Sequence, residues 1–357
     1  MPRSKGSTDT YGTSLGSPTS SNYSLSSRKK KKRCCTWPVI VIVVVILAIS
    51  AVLVWRFTPW EDLITKITPN FPGNDDSSST TGTGYAFNQC QTKEECCNGL
   101  DGICDLKVNE VLFAATHNSY ASSDTQFIFF SNHFKNIGLQ LEAGYRGINV
   151  DVCNCGDLVF CHNTCGVARD PKEDFETLVN FLDENESEIL LVTMEAKNDA
   201  FGGSGSVLLE DVYSLLSDVD GLLDYLYIHP APSVPWPTLR ELRDSGRRLL
   251  LFQYYGTECE DESACQGIHK FFDHGVETPF AFDSVDEIVD YEVSCREDRG
   301  SSGSKAFFGI NHFTKNPSSS QAQILGTADQ LHSRINNCSV QNRNRAVSFV
   351  YVDFWTR

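Results

Sequence analysis

The sequence predicts an α/β ectodomain folded as a (β/α)8, TIM-type barrel and tethered by one N-terminal transmembrane helix. Three observations carry that reading. From Cys90 to the C-terminus, short apolar strand-like runs alternate with amphipathic helical stretches, the pattern of a parallel sheet. Roughly 270 of the 357 residues lie in that region, the size of one barrel rather than two independent domains. Ahead of it, Val39–Trp55 is a run of seventeen residues without a charge. A doubly wound sheet is the alternative, weakened because no glycine-rich phosphate loop follows a strand.

Taken in order, residues 1–33 form a cytoplasmic tail. It is rich in Ser, Thr and Gly with almost no aliphatic side chains, a composition that stays disordered, and it ends in the basic run Arg28–Arg33. Residues 34–57 hold the signal-anchor. At about 1.5 Å per residue, its uncharged run spans roughly 25 Å, the short end of what crosses a bilayer. Trp37, Trp55 and Trp60 suit the interfaces, and Arg56 can snorkel. Basic flanks stay cytoplasmic, so the expected topology is single-pass type II, with everything after Trp55 extracellular or lumenal. A signal peptide cleaved near Ala48-Ile-Ser-Ala51 is the rival reading, disfavoured by a basic segment so far from the start. Cys34 and Cys35 stand at the membrane edge, where palmitoylation is chemically reasonable. Residues 58–88 read as a flexible stalk and 89–357 as the barrel.

Charge follows the same division. The formal net charge is −16, yet up to Trp37 there are eight Lys/Arg and one acid, a net of +7, which leaves −23 for the rest. So acidic a body argues against a nucleic-acid partner. Twelve of the fourteen cysteines lie between Cys90 and Cys338, an even number beyond the span, which predicts disulfides in an oxidising compartment. Zinc is the competing use, but Cys153-Asn-Cys155 and Cys161 with Cys165 are not zinc spacings. The sequons at Asn185 and Asn337 are glycosylation candidates suited to the same compartment.

Expected strands are Val111–Thr116, Gly147–Val152, Ile189–Met194, Asp224–Ile228, Arg248–Tyr254, Ala306–Asn311 and Ser348–Phe354. Expected helices include Asp174–Glu184, Leu208–Ser217 and Ala328–Asn336. Barrel chemistry gathers at the carboxyl ends of strands. Those ends carry Thr116-His117-Asn118, Asn149-Val150-Asp151, Cys161-His162-Asn163, Glu195-Ala196-Lys197 and Asn311-His312. Two histidines can serve as base and acid in phosphoryl transfer. Amide and carboxylate oxygens suit a hard cation, Ca²⁺ or Mg²⁺, that neutralises charge on a phosphate. By themselves these residues indicate metal-assisted phosphodiester chemistry; histidines that merely cap strands are the plain alternative.

Four blocks in register narrow the choice: Ala115-Thr-His-Asn-Ser-Tyr120, Gly144-Tyr-Arg-Gly-Ile-Asn-Val-Asp151, Leu158-Val-Phe-Cys-His162 and Glu188-Ile-Leu-Leu-Val-Thr-Met-Glu195. They resemble the phosphatidylinositol-specific phospholipase C X-domain family. The likeness extends to its Cys-rich, secreted or membrane-attached members through Pro235–Arg243, Asn311-His-Phe-Thr314 and Phe349–Phe354. The resemblance implies a TIM-type barrel that cleaves phosphatidylinositol- or glycosylphosphatidylinositol-type headgroups. It implies His117 as base toward the inositol 2-hydroxyl and His162 as acid toward the diacylglycerol oxygen. Asn118, Asp151 and Glu195 match calcium ligands, and Arg146 matches an arginine read as structural. Asp151 stands where metal-free bacterial relatives have an arginine, so the carboxylate favours a cation.

The chain also departs from the family. Asn149 replaces a glutamate, so a cation loses one negative ligand there, and Asn149 is left as a metal or substrate contact. Leu249–Tyr255 lacks the lysines that bind ring phosphates, and no pleckstrin-homology, EF-hand, Y or C2 region is present; polyphosphorylated inositides are therefore poor substrates. Lys197 is the cation proposed for the substrate phosphate, against the reading of an ordinary loop lysine, with Asn311 and His312 as further substrate contacts. The sequence stops three residues after Phe354, where relatives continue into a last helix, so either the barrel closes without that helix or the sequence is a piece of a longer chain. Two other functions stay open. One is a glycerophosphodiester- or sphingomyelin-type phosphodiesterase, disfavoured by Asn149; the other is a catalytically silent cell-surface binding module.

Overall fold

Along each main strand, alternate residues serve two different cores, and that alternation builds the sheet. The structure, a computed structural model, describes residues 90, 92, 95–125, 127, 131–255, 259, 265–280, 282–300 and 303–355. The expected tail, the expected Val39–Trp55 span and the whole of the expected stalk lie outside the described residues. Among the described residues, no helix is long and apolar enough to cross a membrane.

A small antiparallel hairpin comes first, β1 (Cys96–Cys97) with β2 (Leu100–Asp101). Then follow β3 (Phe113–Thr116), β4 (Gly147–Asn154), β5 (Leu158–Cys161), β6 (Ala168–Arg169), β7 (Leu190–Ala196) and β8 (Leu249–Tyr254). The last four are β9 (Ile268–Lys270), β10 (Gly275–Glu277), β11 (Phe307–Asn311) and β12 (Phe349–Val352). Parallel ladders run in the order β10-β11-β12-β3-β4-β7-β8-β9. The final strand thus lies beside the first of the series, which curls the sheet into barrel order. Among the described residues no ladder joins β9 to β10, so the curl is open at that seam. β5 and β6 form an antiparallel flap on β4.

Residues Ile148, Val150 and Val152 of β4, with Leu190, Val192, Met194 and Ala196 of β7, face the helix-side core. That core includes Phe175, Leu178, Val179 and Leu182 of the helix Lys172–Glu184, one apolar stripe at helical spacing. The intervening positions face inward. Phe113, Ala115, Leu191, Leu250, Phe252, Phe307 and Phe349 fill the interior. Gly147 permits the close approach of β4 to β3, since a Cβ there would sit 2.4 Å from the Ala115 Cβ. Further along the same inward rows the residues turn polar: Asn149 and Asp151, Thr193 and Glu195, Tyr254, Asn311 and Tyr351.

One expected strand is not a strand. Asp224–Ile228 overlaps a helical turn, Leu222–Tyr225, entered through Gly221 at φ 79°, and only Leu226 bridges to Leu249. The reason is occupancy: β7 pairs directly with β8 over six residues, leaving no slot between them. Conversely, β9 and β10 were not foreseen, because three-residue strands holding His269, Lys270 and Glu277 show no apolar alternation. All twelve cysteines from Cys90 to Cys338 pair, as Cys90–Cys96, Cys97–Cys104, Cys153–Cys161, Cys155–Cys165, Cys259–Cys265 and Cys295–Cys338. Six disulfides mark a domain that matures in an oxidising, extracellular or lumenal compartment.

Candidate active site

His117 follows the last residue of β3, and three segments distant in sequence converge on it. Its Nδ1 lies 3.0 Å from Asp353 Oδ1, beyond β12. Asn132 Nδ2 donates to the same carboxylate oxygen at 3.0 Å. The imidazole stacks on Phe313 with ring centroids 3.7 Å apart and planes 6° apart. His133 Nε2 donates to the His117 carbonyl at 2.6 Å, and burial holds His133 down at about 4, so it is neutral near pH 7. With Nδ1–H directed at a carboxylate, the Nε2 lone pair of His117 is the one left to act as base. Asp353 escaped the sequence reading. The alternation Phe349, Tyr351, Asp353 was the available signal, since it carries the inward row of β12 one position past the strand.

A second cluster lies on neighbouring strands. Asp151 and Glu195 are register partners on β4 and β7. Lys197 Nζ sits 2.9 Å from Glu195 Oε1 and 3.6 Å from Asp151 Oδ2. Arg299 Nη2 reaches the other Glu195 oxygen at 3.6 Å, while its Nη1 pairs with Glu277 at 2.9 Å. Burial pushes Asp151 up to about 6 against the pull of Lys197. Burial also works to raise Glu195, but Lys197 and Arg299 outweigh it and hold the carboxyl below its usual range. For Lys197, burial is outweighed by Asp151 and Glu195, so the ammonium stays charged. Arg299 comes from an irregular stretch before a Gly/Ser-rich loop, and no local pattern could have announced it.

Beneath this cluster a hydrogen-bonded chain crosses the interior. Tyr254 OH donates to Glu277, and Tyr351 OH lies 3.5 Å from Tyr254 OH and 2.6 Å from Thr193 Oγ1. Asn149 Nδ2 donates to Thr193 at 3.1 Å, while its Oδ1 accepts the Asn118 backbone N–H at 3.0 Å. Asn149 therefore braces the turn that carries His117. Asn118 itself adopts φ 47°, a conformation asparagine tolerates, and its buried Oδ1 has no hydrogen-bond partner.

The other residues singled out from sequence divide. His162 is half-buried and directly follows β5, whose last residue, Cys161, accepts a hydrogen bond from Tyr120 OH at 2.5 Å. Burial and the neighbouring Asp151 raise the Tyr120 phenol well above its usual value, so this corner adjoins the carboxylate cluster. Asn311 joins the network through Thr278 O at 2.9 Å and Glu277 at 3.4 Å. His312 does not reach the site. It is turned outward by strand alternation and donates through Nε2 to Leu325 O at 2.9 Å, under the helix Ser319–Leu325. Arg146 lies at the opposite end of β4, its Nε 2.5 Å from Glu188 and its Nη1 on the Leu141 carbonyl. Asn185 and Asn337 bond back to Phe181 O and Ser333 O on their own helices, apart from the cluster.

The PI-PLC X family profile matches residues 103–356, most of the chain and all of β3 to β12. The chain belongs to the PI-PLC X domain family. PI-PLC X domain-containing protein 1 of Arthroderma benhamiae is 27% identical over 224 residues, covering 60% of this chain and 68% of that protein. Among solved structures, the phosphatidylinositol-specific phospholipase C of Listeria monocytogenes is similar at 18% identity and a TM-score of 0.47, over 74% of this chain and 94% of that one. A Staphylococcus aureus phosphatidylinositol-specific phospholipase C is similar at 12% identity and a TM-score of 0.48, over 73% and 91% respectively.

The calcium expected from the PI-PLC X resemblance can be tested on the residues present. Calcium takes about six to eight oxygens. Here Asn118 offers one unpaired oxygen, but the Asn149 amide is engaged on both sides, and both Glu195 oxygens and one of Asp151 face cations. A divalent ion about 4 Å from the Lys197 ammonium would be repelled by about 8 kcal/mol at an effective dielectric of about 20. As they stand, these residues do not fit the ion. Elsewhere among the described residues, Glu210, Cys259 and Cys265 have ligand-like spacing, but the two thiols are joined in a disulfide.

Proposed function

We propose that this PI-PLC X domain protein is a membrane-anchored, extracellular or lumenal phosphodiesterase that cleaves phosphatidylinositol- or glycosylphosphatidylinositol-type headgroups. The observation that carries the reading is the His117–Asp353 pair at the carboxyl rim of the sheet, on the same rim as a charged Lys197 and Arg299. In this reading His117 Nε2 takes the proton of the inositol 2-hydroxyl, and the freed oxygen attacks phosphorus. The bond from phosphorus to the diacylglycerol oxygen breaks, and His162 protonates that oxygen. The products are diacylglycerol and a cyclic inositol phosphate, which water then opens. Lys197 and Arg299 meet the charge that builds on the phosphate oxygens. Six disulfides support the compartment, and the uncharged Val39–Trp55 run behind a basic segment supports type II anchoring.

The test uses full-length protein in detergent micelles with phosphatidylinositol vesicles or a glycosylphosphatidylinositol-anchored protein, and follows cyclic inositol phosphate. Its release, lost in His117→Ala, is the expected result. Glycerophosphodiester or sphingomyelin-type products instead would reassign the substrate, and folded protein without turnover on any of these would leave a silent binding surface. A proteolysis map of sealed microsomes checks topology: only the segment before the span should be clipped from the cytoplasmic side.

A further inference from the structure

We propose that Lys197 takes the place of the divalent cation in this barrel, so that its ammonium, seated between Asp151 and Glu195, meets the substrate phosphate together with Arg299 and the reaction runs without metal. This inference rests on the phosphodiesterase reading above. The Lys197 backbone N–H donates to Val152 O at 2.8 Å, which fixes its stem across the tops of β4 and β7. From there the ammonium hangs between register partners on both strands, at 2.9 Å and 3.6 Å. Arg299 closes the other side of Glu195 and is itself held by the wholly buried Glu277. The Asn149 amide is committed on both sides, to the Asn118 backbone N–H and to Thr193.

Charge leads to the same conclusion. Asp151, Glu195 and Glu277 set against Lys197 and Arg299 leave one formal negative charge. A divalent ion added to that set makes the pocket positive, with an ammonium inside its coordination sphere. Removing the lysine charge leaves two negatives, the match for a divalent ion. Asp151 and Glu195 are then positioning residues that hold Lys197. The Lys197 side chain keeps 18% exposure, the open side from which a phosphate arrives.

Calorimetry and thermal melting of the full chain, titrated with CaCl2 or MgCl2 to about 10 mM, give the direct readout, since extracellular calcium modules saturate at about 10⁻⁴–10⁻³ M. The expected result is no saturable binding and an unchanged melting temperature in the wild type, with saturable calcium binding gained in Lys197→Gln. On phosphatidylinositol vesicles, wild-type turnover should agree within about twofold between EGTA and CaCl2. Lys197→Gln should lose about 10²–10³-fold, and Lys197→Arg should retain most activity. Stoichiometric calcium binding by the wild type that disappears in Asn118→Ala would overturn the proposal, as would a more than about tenfold loss on chelation. The wild-type titration needs no variant to fold. If no inositol lipid is hydrolysed in either buffer, the phosphodiesterase reading fails, while the titration still decides whether the lysine excludes the ion.

Discussion

His117 has the strongest local constraints of any candidate group: a carboxylate on Nδ1, a coplanar phenyl against its face and a neutral histidine on its carbonyl. Each fixes ring position or tautomer without consuming Nε2. Asp353→Asn should therefore leave the fold intact and lower turnover about 10²–10⁴-fold, with KM nearly unchanged, because only proton transfer is impaired. Initial-rate kinetics beside a circular dichroism spectrum checks this; a variant with wild-type kcat would remove Asp353 from the mechanism. His117, Asp151, Glu195 and Lys197 were legible in the sequence because each closes an apolar run, where a strand meets the rim. Asp353 and Arg299 were not. Asp353 lies 236 residues from His117, and their contact exists only because the last strand closes beside the first.

At the scale of elements, the β4–β5 hairpin positions His162. The Cys153–Cys161 bridge ties the two strands directly ahead of that histidine, and Cys155–Cys165 closes the loop behind it. Cys97–Cys104 has a similar sequence separation, seven residues against eight, but precedes β3 at the amino ends of the strands. In the chain-entropy account each bridge contributes about 2.5 kcal/mol, so serine double substitutions at either pair should destabilise equally. They should differ in function: the Cys153/Cys161 variant should lose more than about tenfold in turnover and the Cys97/Cys104 variant less than about twofold. Equal losses in both would show that His162 placement does not depend on the staple. Strand alternation made β3, β4, β7, β8, β11 and β12 readable beforehand. It misled at Asp224–Ile228, where apolar content suited a strand but neighbouring strands had already paired with each other.

For the whole molecule, buried histidines dominate the response to acid. Burial holds His133, His269, His274 and His312 near 4, while it raises Asp151 to about 6 and Asp174 to about 7. A histidine lowered in this way contributes stability that is present above its ordinary 6.5 and lost as pH falls toward 4. The two carboxyls act oppositely, stabilising below 3.8 and losing that contribution as pH rises through about 6 to 7. Four groups outweigh two in the shared window. The melting temperature should therefore fall between about pH 7 and about pH 5, measured at about 0.15 M salt to screen surface repulsion. A flat profile would mean that the histidines are not held neutral in the folded state.

The even count of cysteines between Cys90 and Cys338 was a property of composition, and it pointed by itself to the oxidising compartment that the six disulfides mark. Strand periodicity likewise determined which residues face inward, because side-chain direction alternates with every residue whatever the strand's neighbours. Which inward residues meet is a property of ladder order and register. Only the tertiary structure decided that Asp353 backs His117, that Asn149 is a brace and that Lys197 lies between Asp151 and Glu195. Those contacts join residues whose spacing along the chain carries no record of their distance in space.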